Sequence, residues 1–310
     1  SWLLKFKGIA FHFEVVGDLL TGDLLDFLET VPKGMFQFEL GVQTTDQSSQ
    51  EKIKRKQNNK KLFSAIERLI SSNLIHIHCD LIFGLPGETL DDALNSFEEV
   101  CALRPHELQL GFLKFLPGAP IKEIIDDHGY KYQSTPPYEF ISNNDLSASQ
   151  LNYLKKFEEV FDIFYNSKRF RFTVQRLLKK LPAVNIFNSL LEHMESNNLF
   201  NQPHSLNAQY KIIHDTFALN KDPAALDILR LDYLYAQRVY RLPRFLEIDG
   251  ARQKTWGGDK KTPLIPFLHT IQIEKGNAEI KPAPSLQFCA VVHAVESSGY
   301  LNPPSLNWVS

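Results

Sequence analysis

The sequence predicts an α/β fold: a partial parallel barrel sector of β/α units, then an α-helical domain and a short β-hairpin tail. Three observations predict it. Apolar runs of strand length alternate with amphipathic segments through the first third of the chain. A proline-broken stretch, YKYQSTPPYEF from Tyr130, separates that part from a region whose apolar residues recur at helical spacing. Two apolar runs near the C-terminus are joined by Lys275, Gly276 and Asn277, a hairpin signal.

Each element follows from its local pattern. IAFHFEVV, residues 9–16, has the length and residue types of a buried strand, and TGDLLDFLET has helical spacing behind a Thr21 cap. MFQFELGVQ (35–43) is the next strand, followed by a polar helix leading into KLFSAIERLISSN (61–73). LIHIHCDLIFGLP and TLDDALNSFEEVCAL repeat the unit, and LQLGFLKFLPG closes the series. Four strands separated by helices argue for parallel βαβ units, and their short, regular spacing favours a barrel sector over an open sheet. From Leu146 to Tyr240 the pattern is helical, with Leu151, Leu154, Phe157, Val160, Phe161 and Phe164 placed for packing. PLIPFLHTIQIE and SLQFCAVVHAV form the tail hairpin. The expected domains are residues 1–130, 131–245 and 246–310.

With 310 residues, 43% hydrophobic and 23% charged, the chain can bury a sizeable core. Its 34 basic and 36 acidic residues leave no positive excess to recommend nucleic acid or an anionic membrane as partner. No stretch approaches the about 18 apolar residues of a membrane span. Cys79, Cys101 and Cys289 are too few and too scattered for a disulfide framework, so a reducing cytoplasm is the expected location. The apolar Trp2-Leu3-Leu4 directly after Ser1, with a core-like strand close behind, suggests a chain that begins inside a larger protein.

In parallel α/β architectures the ligand sits beyond the carboxyl ends of the strands, so polar residues inside apolar strands are the ones to collect. Glu14, Glu39, Gln43 and Asp80 are such residues. A carboxylate in a buried strand needs a ligand or an internal cation, and Arg55, Arg68 and Lys114 are available as cations. The turn GLPGET, ahead of a helix starting near Thr89, has glycines that would let backbone approach a ligand closely. It is neither a dinucleotide fingerprint nor a phosphate-binding loop.

The ordered set FHFEVV, GVQTTD with KIKRK, HCDLIFGLPGET and LQLGFLKFLPGAPI resembles the second half of the radical S-adenosylmethionine (radical SAM) TIM-like barrel. PPYEF and NDLSASQLNYLKKFEEVFDIFYNS resemble a C-terminal domain of unknown function carried by cobalamin-dependent members of that superfamily. The resemblance implies that Glu14, Gln43 and Asp80 line an S-adenosylmethionine pocket, holding ribose hydroxyls or the amino group. It implies that Arg55 pairs with the methionyl carboxylate, that the backbone of Ile82 recognises adenine, and that the turn from Gly84 to Glu88 lies beside it. It further implies a [4Fe–4S] cluster, an external electron donor, an unidentified small-molecule substrate, possible use of cobalamin, and a 5′-deoxyadenosyl radical as the reactive species. The superfamily's CxxxCxxC motif does not occur in the sequence, so the chain by itself is expected to be inactive.

Two other readings stay open. His76, His78 and Asp80 alternate on one strand, as metal-dependent hydrolases present an HxH pair. The chain could instead be a non-catalytic binding module, for which the basic run KRFRFTVQRLLKK (168–180) offers a patch for an anionic partner or simply a solvated helix face.

Overall fold

The structure is a computed structural model describing residues 2–237, 241–249, 254–256, 259–274, 277–292 and 305–309. Its contacts divide it into two compact units, Ser1–Glu159 with Pro182–Val184, and Val160–Leu181 with Asn185–Ser310.

The first unit is built on β1 (Phe11–Val15), α1 (Gly22–Leu28), β2 (Phe36–Gln43), α2 (Gln47–Lys52), α3 (Asn59–Ser72), β3 (His76–Phe83), α4 (Leu90–Ala102) and β4 (Glu107–Phe112). The four strands are parallel and lie in the order β1-β2-β3-β4. A sequential order without reversal is that of a barrel sector; a doubly wound sheet changes direction at a switch point. Side-chain caps start the helices: Thr21 accepts from Leu24 N, Asp46 from Ser49 N and Asn58 from Lys61 N, and Thr89 forms a capping box with Asp92.

One face of this sheet is the core. Leu40, Val42, Ile77, Cys79, Leu81, Phe83, Leu108 and Leu110 are buried there, as are Leu62, Ile66 and Leu69 of α3 and Ala93, Phe97 and Val100 of α4. Each fully buried Leu, Ile or Phe contributes roughly 1.5–3 kcal/mol. Cys79 and Cys101 are buried packing residues, and loss of solvent pushes the Cys79 thiol up to about 12. The opposite face is polar, because successive side chains of a strand alternate between faces.

After β4 a small antiparallel pair, β5 (Lys131–Tyr132) and β6 (Phe140–Ser142), precedes α5 (Ala148–Phe161). The second unit holds α6 (Arg171–Leu178), most of α7 (Ala183–Ser196), α8 (Leu206–Thr216) and α9 (Pro223–Ala236). It also holds an antiparallel sheet of β7 (Lys254–Trp256), β8 (Asp259–Glu274), β9 (Asn277–Val292) and β10 (Ser305–Val309), ordered β10-β9-β8-β7. The tail is thus a four-stranded sheet with the expected hairpin, β8 against β9, at its centre. Of the expected turn, Lys275 and Gly276 lie outside the described residues. β9 starts earlier than the apolar pattern indicated and runs through Pro282, which pairs with His269 of β8. Proline is tolerated there because β10 pairs with the stretch from Phe288 to Val292, so that among the described residues no strand lies on one side of Pro282. No helix among the described residues is long and apolar enough to cross a membrane.

Candidate functional site

The strand register assembles the polar face of the parallel sheet into rows. Glu14, Glu39, His78 and Glu107 are side by side across all four strands, and Gly41, Asp80 and Gln109 form the next row toward the carboxyl ends. At that end β2 becomes irregular. The pairing shifts between Gly41 and Gln43, and Gln43 takes a positive φ of 67°. A non-glycine residue held there costs on the order of 1–3 kcal/mol, and such outliers cluster at binding sites. A bulge of this kind re-aims a side chain.

What it re-aims is the Gln43 amide. A Cβ at Gly41 would stand 2.3 Å from Gln43 Nε2 and 3.8 Å from Arg55 Nη2, so both side chains occupy the space that glycine leaves on the polar face. Gln43 Oε1 is buried and has no hydrogen-bond partner among the described residues. Arg55 reaches the same place from the loop between α2 and α3, donating Nη2–H to Gly41 O and Nε–H to Gln57 Oε1 (2.8 Å). It is half-buried, and burial lowers its pKa from the usual guanidinium range. No carboxylate lies within ion-pair distance of it among the described residues.

Asp80 is level with Gly41 on the neighbouring strand, half-buried, with Oδ1 2.8 Å from His78 Nε2. The carboxylate raises the His78 pKa against the opposing effect of partial burial. Glu39 takes a hydrogen bond with His12 Nε2 (3.0 Å), and Arg68 is occupied by Asp26 and Glu29. Among the described residues the strand carboxylates Glu14, Glu39 and Asp80 form no ion pair with a lysine or arginine, and the open face, rather than a buried strand, is what makes them tolerable. Glu14 is exposed on the edge strand, one row below Asp80 and two strand spacings, roughly 10 Å, to the side. Gln43, Arg55 and Asp80 are brought together around Gly41; Glu14 is not. Ile82 is half-buried one row above Asp80, where the β2 ladder has already ended at Leu81 and only β4 pairs with β3.

Gly84 is not open to a ligand, contrary to the reading of its turn as a backbone cradle. At φ 89° its missing Cβ makes room for the Phe140 ring, 2.2 Å from where that Cβ would be, and Lys52 fills the corresponding space at Gly87. Its N–H donates to Glu88 Oε2 (2.9 Å) and its carbonyl accepts from Tyr130 Oη (2.8 Å). The turn is closed by its own chain. Glu88, which also accepts from Leu85 N (3.4 Å), is 1% exposed, and burial pushes its carboxyl up to about 8. A carboxyl raised from 4.5 contributes its full stability below pH 4.5 and loses it as pH rises toward 8. Glu88→Gln, which keeps the acceptor and cannot ionise, is expected to match the wild type near pH 4 and to exceed it by up to about 4 kcal/mol at pH 8 in urea melts. Equal curves at pH 8 would remove Glu88 as the titrating group.

His76 and His78 do point to the polar face. His76 Nε2 lies 3.8 Å from Glu107, and His78 faces Asp80, with Glu107 and Glu39 also favouring its charged form. Among the described residues no three His, Cys, Asp or Glu side chains gather as a metal ion requires. The elements that sequence reasoning missed are Gly41 and Gln57; His78 was singled out only as a metal-ligand candidate. A glycine inside a strand pattern was the available signal for the first.

Residues 3–100 match the Radical SAM superfamily, and residues 126–260 match DUF4080, a protein family of unknown function. The chain thus carries a radical SAM superfamily segment over its first third. It is 33% identical over 85 residues to the heme chaperone HemW of Buchnera aphidicola subsp. Acyrthosiphon pisum, covering 27% of this chain and 22% of that one. With the heme chaperone HemW of Bacillus subtilis it shares 33% identity over 93 residues, 30% and 24% of the two chains. Among solved structures, the radical SAM enzyme coproporphyrinogen III oxidase (HemN) of Escherichia coli matches with 22% identity and a TM-score of 0.31, over 39% of this chain and 33% of that one. The chain thus spans about a quarter of the length of these curated relatives. The cluster around Gly41 lies within the segment matched to the radical SAM superfamily.

Proposed function

We propose that this chain binds S-adenosylmethionine at the carboxyl ends of β2 and β3. The observation that carries the reading is Arg55, a half-buried cation with no carboxylate partner among the described residues, beside the orphaned amide oxygen of Gln43. Asp18 acts on it only from beyond ion-pair distance, so the guanidinium still has room for an anion in contact, and the methionyl carboxylate can meet it with charge-assisted hydrogen bonds. Gln43 Oε1 would accept from the methionyl ammonium, and Asp80 from ribose hydroxyls. Glu14, one row lower on the edge strand, would reach only the outer end of the ligand. The backbone of Ile82, beyond the end of the β2 ladder, offers the edge that would read adenine, while Gly84 serves the turn behind it.

These residues fit the cofactor. When bound, S-adenosylmethionine supplies a sulfonium whose carbon–sulfur bond opens on one-electron reduction; the chain's part is to hold and orient it. Cys79, Cys101 and Cys289 are each buried and do not fit a [4Fe–4S] cluster, so no step is assigned to one within this chain. None is assigned to cobalamin either. On this reading radical chemistry on the substrate, or methyl transfer, needs cluster ligands and an electron donor that these residues do not provide.

The test is equilibrium dialysis of the 310-residue chain against labelled S-adenosylmethionine. Saturable binding is expected in the micromolar range, with methionine and adenosine each competing more weakly than S-adenosylhomocysteine. Absence of saturation at millimolar ligand would sink the proposal.

A further inference from the structure

The second unit has a cavity of about 300 Å³ between α6, α9 and the start of β9. Its apolar wall includes Phe172, Ile228 and Ile280, and its polar side carries Arg176, Lys179 and Glu279. That volume is at the small end of sites that take organic ligands.

Arg176 is fixed in the wall before any ligand arrives. Its Nη2 donates to Asp222 Oδ2 (3.1 Å), and Asp222 is itself pinned because Oδ1 accepts from Ala224 N and Ala225 N (3.1 Å each) at the start of α9. One edge of the guanidinium is thereby held. Nε is buried and has no hydrogen-bond partner among the described residues. A buried N–H of a charged group left unpaired is costly, so it marks a place where an acceptor is missing. Lys179, one helical turn on, is exposed and has no ion pair among the described residues. The basic run 168–180 is therefore more than a solvated face. It sends one cation into a part-apolar cavity and places a second at its mouth.

We propose that this cavity binds a small organic carboxylate, its charged end on the Arg176 guanidinium and Lys179 and its hydrocarbon body against Phe172, Ile228 and Ile280. The charge balance selects a monoanion. Asp222 already shares Arg176 and Lys180, and Glu279 stands on the rim, so a second negative charge on the ligand meets repulsion that a single one largely escapes. The apolar wall selects a chain or ring over a bare ion.

Calorimetric titration of the full 310-residue chain with hexanoate tests this, alongside hexan-1-ol, acetate and hexyl phosphate. Hexanoate is expected to saturate, with the other three about tenfold weaker or more. Arg176→Gln is expected to weaken hexanoate about tenfold and Lys179→Gln about threefold. Hexanol binding as tightly as hexanoate, or hexyl phosphate binding more tightly, would overturn the assignment, as would no saturation by hexanoate. Should Arg176→Gln fail to fold, Lys179→Gln and Ile280→Glu decide: unchanged hexanoate binding in both rejects the site, and weaker binding in both supports it.

Discussion

Arg55→Ala is expected to weaken S-adenosylmethionine binding about 10- to 100-fold, the largest loss from any single change at the site. A hydrogen bond to a charged group is worth about 1.5–3 kcal/mol, and a factor of 100 corresponds to about 2.7 kcal/mol. The guanidinium sits with two of its edges occupied by its own chain, Nη2 on Gly41 O and Nε on Gln57 Oε1, so that only its remaining edge faces a ligand. That arrangement makes it preorganised, and little side-chain entropy is left to lose on binding. Arg55→Lys keeps the charge but neither tether, so it is expected to recover only part of the affinity. Adenosine, which has no carboxylate, separates the roles: its weaker binding is expected to be the same in Arg55→Ala and wild type. Equal loss of adenosine and S-adenosylmethionine would mean that Arg55 supports the loop rather than the ligand. Equal S-adenosylmethionine affinity in variant and wild type would remove the carboxylate contact altogether.

The parts of this site differ in how far they could be read from sequence, for physical reasons. The strands were legible because apolar residues recur with period 2 in FQFELGVQ and HIHCDLIF, and α1 and α4 because Thr21 and Thr89 stand where a cap belongs. The same period-2 pattern contained the open face: Gln37, Glu39, Gly41 and Gln43 alternate with Phe36, Phe38, Leu40 and Val42. A strand buried on both faces would not alternate so strictly. The pairing of His78 with Asp80, and of His12 with Glu39, was not legible, since a sequence does not say which of several polar neighbours a side chain turns toward. Gly84 illustrates the opposite error. Glycine in a turn signals that something comes close, and here that is Phe140, far downstream in the chain, not a ligand. In the second unit, Pro282 hid the first half of β9 because proline argues against a paired strand until the one-sided pairing is known.

The largest stability loss is expected away from the ligand, at Asp227 of α9. Its carboxylate is fully buried and makes four contacts: Oδ1 with Arg230 Nη1, and Oδ2 with Leu268 N (2.8 Å), His269 N (2.9 Å) and His269 Nδ1 (2.9 Å). Arg230, 1% exposed, continues the network by donating Nε–H to Leu246 O (2.6 Å) and Nη2–H to Glu247 O (3.3 Å). One side chain thus ties α9 to the middle of β8, beside the irregularity between Phe267 and His269 where the ladder cannot satisfy those amides itself. Asp227→Ala strands a buried guanidinium without its counter-ion and leaves two backbone N–H groups unpaired, which is expected to cost about 3–5 kcal/mol. Arg230→Met is expected to cost less, because Asp227 keeps three donors while the long apolar side chain fills most of the vacated volume. Urea unfolding followed by circular dichroism, with the two units allowed separate transitions, reads both variants. Should Arg230→Met prove as damaging as Asp227→Ala, the ion pair rather than the capping of β8 by Asp227 would be the dominant contribution. Should Asp227→Ala melt with the wild type, the network would be incidental to the stability of the second unit.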